Sequence, residues 1–104
     1  MILRRSRFHD VVARQLDLFA EAQADLLGEA READAVWSEA SAEESEERYG
    51  DYQLVVDAIG ERLYDLREAY ARTLDASTAE EYRADFDRAA RKRFRGLATF
   101  LEGS

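Results

Sequence analysis

Apolar residues recur every three or four positions along almost the whole chain, the spacing of a helix face rather than the alternation of a strand. Phe8, Val11, Val12, Leu16, Leu18, Phe19, Leu26, Leu27, Ala30 and Trp37 share one half of a helical wheel. Asp10, Arg14, Asp17, Glu21, Asp25 and Glu32 share the other half. The pattern predicts a first helix over residues 7–37, bent at Gly28, which costs a helix interior about 1 kcal/mol relative to Ala. Ser38-Glu39-Ala40-Ser41 reads as a turn. Ser41 followed by Glu44 is a capping box, in which the hydroxyl accepts from a helical N–H and the Glu reaches back. Tyr49, Tyr52, Val56, Ile59, Leu63, Leu66, Tyr70 and Thr73 then form a heptad seam, predicting a second helix that ends near Asp75. Gly50 is its weak point, and Asp51 offers a cap for a fresh start there. Ser77 followed by Glu80 is a second capping box. It opens a third helix with Tyr82, Phe86, Ala89, Ala90, Phe94, Leu97, Phe100 and Leu101 on one face.

Short turns between long helices make sequence neighbours antiparallel. The expected fold is therefore all-α, an up-down-up antiparallel bundle of three long helices forming one domain over residues 1–104. Four shorter helices with a break near Gly50 is the alternative. Folding about the turns sets Phe8 level with Tyr70, Phe19 with Ile59, Tyr70 with Tyr82 and Ile59 with Phe94, so apolar meets apolar throughout.

Composition narrows the chemistry. The absence of Pro suits uninterrupted helices. The absence of Cys removes disulfides, thiolate nucleophiles and Cys-based metal sites. The net charge of −8 is unevenly spread. Residues 21–51 carry eleven acids against two Arg, while residues 1–20 and 82–104 are net basic. The acid-rich middle separates the two basic ends, which argues against a nucleic-acid interface. No stretch approaches the roughly 18 apolar residues of a membrane span. The first residues, Met-Ile-Leu-Arg-Arg-Ser-Arg, lack the apolar run of a secretory signal, and the expected location is cytoplasmic.

An acidic helical protein invites comparison with ferritin-like metal enzymes, whose sites need inward carboxylates and Glu-x-x-His motifs. The chain has no Glu-x-x-His, and its acids are expected to face water along all three helices. His9, the sole histidine, lacks a motif that would make it a general base. Neither catalytic residues nor metal or cofactor ligands are predicted. Arg93, Gln15 and Gln23 fall within apolar arcs, where they either fix register or line a pocket.

The first helix carries more apolar circumference than two neighbours cover, and leftover apolar surface marks a partner site. Leu18, Leu27 and Leu54 lie at the margins of their arcs. Tyr64 falls on a side stripe with Tyr49, Gln53, Gly60 and Arg67, and Gly60 admits close approach by another helix. Leu18, Leu27, Leu54, Gly60 and Tyr64 are therefore the predicted partner-binding residues. The expected function is a non-enzymatic helical interaction or structural protein, self-associating as a homodimer or binding a helical partner. A ferritin-like metal-binding protein or enzyme is the alternative. A hairpin with a Trp at its turn also resembles the small secreted substrates that carry Trp-x-Gly there. Trp37-Ser38-Glu39 lacks that glycine, so the resemblance extends only to a secreted hairpin substrate or adaptor as a third class.

Overall fold

The computed structural model describes residues 7–95 and 97, and these are helical in four segments. The helices are α1 (His9–Ala22), α2 (Ala24–Ser38), α3 (Ser45–Ala71) and α4 (Ala76–Arg93). Phe100 and Leu101, expected on the last helix, lie outside the described residues.

The fourth helix arises at a different place from the one anticipated. Gly50 sits inside α3, which is continuous for 27 residues. The long first helix is instead interrupted at Gln23, whose φ and ψ of −109° and 25° leave the helical region. Hydrogen bonding barely pauses there: the Gln23 N–H donates to the Phe19 carbonyl, and the Leu27 N–H donates to the Gln23 carbonyl. The bend falls five residues before Gly28, at an inward-facing amide rather than at the glycine. Gln23 turns its side-chain oxygen to the Arg62 guanidinium of α3. The two segments then take different partners. α1 packs on α4, α2 on α3, and α3 on α4.

The turns obey the capping chemistry with shifted boundaries. The Ser41 hydroxyl accepts from the Glu44 N–H and donates to the Glu44 carboxylate, both at 3.3 Å. That box closes a turn, and α3 begins after it, at Ser45. α3 ends at Ala71, earlier than the seam suggests. Asp75, expected to close that helix, opens the next one. Its carboxylate accepts from the Thr78 N–H at 3.0 Å and the Thr78 hydroxyl at 2.9 Å. These bonds hold the Asp75 carboxyl below its ordinary pKa.

The core is one cluster to which all four helices contribute, with Leu27 and Ala30 supplied by α2. Val12, Leu16, Val56, Ile59, Leu63, Tyr82 and Phe86 are fully buried, each side chain contributing roughly 1.5–3 kcal/mol. The expected levels hold for the aromatic residues. Phe8 meets Tyr70 and Tyr82 edge-on at 6.5 and 5.4 Å between centroids, and Tyr70 lies 4.7 Å from Tyr82. Such pairs add about 0.5–1.5 kcal/mol beyond their burial.

Beyond this head the fold thins. No residue between 31 and 55 is buried. There α2 and α3 run as a two-helix arm, and among the described residues no Cα of α2 comes within 8 Å of α4. The radius of gyration is 15.9 Å, against about 13 Å for a compact chain of this length.

Candidate interaction surface

Among the described residues the arm has only two helices, so each leaves a wide face without a described neighbour. Val36, Tyr49 and Leu54 are 45%, 45% and 71% exposed. Trp37 is half-buried between Tyr49 and Tyr52, at 4.8 and 5.5 Å between centroids, and stacks nearly parallel to Tyr52. Burial, reinforced by the Asp34 carboxylate, raises the Tyr52 pKa. Ala33, Val36 and Val55 floor an open groove of about 260 Å³ rimmed by Glu29, Glu32 and Asp51. Arg48 also borders it, held by Glu44 and Asp51 at 3.5 Å each.

A second groove, about 320 Å³, separates α1 from α3. Among the described residues no Cα of α1 approaches α3 within 8 Å. Leu18, Phe19, Ala22 and Leu66 line the gap, and Gln15, Gln23 and Arg62 border it. Leu18 is 54% exposed.

The predicted partner residues divide. Leu18, Leu54 and Tyr64 are exposed. Leu27 and Gly60 are buried in the chain's own packing. Leu27 turns into the core as α2 crosses α3. Arg67, on the same stripe as Gly60, faces α4, where it reaches Asp87. Tyr64 flanks that contact, with the Arg67 guanidinium 5.0 Å from its ring centre.

The inward polar residues serve the chain's own packing. Gln15 accepts a 2.8 Å hydrogen bond from the Tyr82 hydroxyl. Burial nevertheless pushes the Tyr82 pKa up to about 12. Arg93 is exposed and pairs with Asp17, because its long stem carries the charge past apolar neighbours. His9 is exposed at the first residue of α1.

The expectation that acids face water along every helix fails between α3 and α4. Arg67 is buried, with its side chain 8% exposed, and its partners Glu68 and Asp87 are 13% and 17% exposed. Arg67 donates to both Asp87 oxygens at 2.8 and 3.0 Å and to Glu68 at 3.0 Å. Arg83 clasps Glu68 with two bonds, at 2.9 and 3.0 Å. The Arg83 bond, more than any other influence, holds the Glu68 carboxyl below its usual range. The same pairing raises the Arg83 pKa. Asp85 is also mostly buried, paired with Arg88 through one oxygen, and its Oδ2 has no hydrogen-bond partner. Two guanidiniums thus answer Glu68 and Asp87, and the cluster is neutral. The signal was the Arg67 stripe and the Arg83–Asp87 spacing of four, which place complementary charges on facing helices.

Among the described residues no group of three His, Cys, Asp or Glu side chains is placed to hold a metal ion. No described helix is long and apolar enough to cross a membrane. No family model, curated protein or solved structure matches the chain.

Proposed function

We propose that the chain is a non-enzymatic helical interaction protein that self-associates through the groove between α1 and α3. The observation carrying this reading is Leu18, more than half exposed beside an apolar trough containing Phe19, Ala22 and Leu66. A two-fold dimer needs a patch that complements itself. This one qualifies: a projecting leucine sits beside a cleft, and the amides of Gln15 and Gln23 on the rim both donate and accept. Arg62, the cation on the rim, is already engaged by Gln23. The inward carboxylates Glu68 and Asp87 support a structural role, since their oxygens are occupied by guanidiniums.

Size-exclusion chromatography with light scattering tests the reading. At about 100 μM protein, well above a micromolar Kd, the expected mass is twice 11.9 kDa. Leu18→Glu should give a monomer with unchanged far-UV circular dichroism. A monomeric wild type overturns self-association, and a Leu18→Glu variant that stays dimeric moves the seam elsewhere.

A further inference from the structure

The arm formed by residues 31–55 is a bundle that stops one helix short. Near the head, α4 supplies the third helix. Along the arm none of the described residues does, and Ala33, Val36 and Val55 line an open trough between α2 and α3. We infer that this trough docks a basic amphipathic helix of a partner protein. Its apolar stripe would rest on Ala33, Val36 and Val55, and its cations against Glu29, Glu32 and Asp51.

Charge selects the occupant. Residues 31–55 carry eight carboxylates and two arginines, a balance of −6 in a chain whose total is −8. Among the described residues every ion pair on the arm runs through Arg48, which Glu44 and Asp51 share. Among the described residues Glu29 and Glu32 form no ion pair, and Arg48, the cation beside them in the groove, is held by Glu44 and Asp51. A second copy's arm would bring a like field and be repelled. The exposed edge of α4, with Arg88 and Lys92, supplies cations but only Ala84 as an apolar contact, so a second copy's α4 cannot fill the trough. A helix with one apolar stripe and flanking Lys or Arg satisfies both requirements, the groove-binding mode of amphipathic helices. This surface is distinct from the α1–α3 seam, so it stands whether or not the chain dimerises.

The test uses a fluorescein-labelled synthetic helix of about 20 residues, long enough to populate helix in isolation. It carries Leu at i, i+3, i+4 and i+7 with Lys and Arg at the flanks. A scrambled peptide of identical composition is the control. Anisotropy is read against the full chain at about 0.15 M salt, where distant charges are screened. The helix should bind at least about tenfold more tightly than the scramble, a difference of about 1.4 kcal/mol. Val36→Asp and the double variant Glu29→Lys/Glu32→Lys should each weaken binding by about tenfold or more. All of these are surface changes, and circular dichroism confirms the fold. Trp37, the sole tryptophan, should shift its emission on binding. Equal affinity for the scramble, binding indifferent to Val36→Asp, or no binding of the helix by wild type each overturns the inference. Light scattering on the same samples shows separately whether self-association holds.

Discussion

Replacing Arg67 with Met is the sharpest perturbation of the core. The methionine keeps most of the stem's packing and removes three donated hydrogen bonds. Glu68 retains both bonds from Arg83. Asp87 loses a partner that engages both its oxygens, while its side chain is only 17% exposed. Breaking a buried pair from one side costs about 3–5 kcal/mol, and residual access to water reduces this to about 2–3 kcal/mol here. On a domain of this size each kcal/mol moves the melting temperature by about 4–8 °C, so a drop of about 10–20 °C is expected. Urea denaturation followed by circular dichroism gives the free energy, with an unchanged m-value showing that only stability moved. The double variant Arg67→Met/Asp87→Leu removes both charges and should recover most of the loss. Acid should expose the same cluster. The Glu68 pKa is lowered on folding, so its stabilisation is present above the unfolded value near 4.3 and is lost as pH falls through the folded value. Glu68→Gln should flatten that acid limb. A single variant within about 0.5 kcal/mol of wild type, the range of ordinary surface changes, would refute the assignment of Arg67 as a structural counter-ion.

Two further outcomes follow from local geometry. The Tyr82 pKa, raised to about 12, makes its contribution to stability complete below the unfolded value near 10 and lost as pH climbs toward the folded one. Tyrosinate absorbance should therefore show a late step that shrinks by one tyrosine in Tyr82→Phe, with a smaller alkaline loss of stability in the variant. Gly50→Ala should stabilise by about 0.5–1 kcal/mol, measured by urea denaturation, because Gly50 is helical and exposed and an added methyl there meets nothing within 4 Å.

The helical periodicity located the core closely. Val12, Leu16, Ile59, Leu63, Tyr82 and Phe86 all read as seam positions and all are buried. The capping residues marked the turns but not their ends, since Asp75, two residues before Ser77, takes the cap position of α4. The bend at Gln23 was illegible in the apolar spacing, because the stripe stays in phase across it. What forces it is tertiary: α1 serves α4 and α2 serves α3. The α3–α4 ion cluster escaped for a related reason. Arg67, Glu68 and Asp87 look like ordinary surface charges until two helices bring them face to face. Of the surface residues, Leu18 and Leu54 stood out as marginal leucines. Val36 did not, because its exposure depends on α4 ending before it reaches the arm.

The absence of buried side chains between 31 and 55 should also divide the molecule into two cooperative units. Beyond helical hydrogen bonding, amides there are guarded by the half-buried Trp37–Tyr52 stack and Tyr49 rather than by a buried core, so they should exchange through openings cheaper than global unfolding. The slowest protons should cluster around Leu63 and Phe86. A partner that covered the thin end would slow exchange locally and leave the thick end nearly untouched, giving residue-resolved deuterium uptake a built-in internal reference.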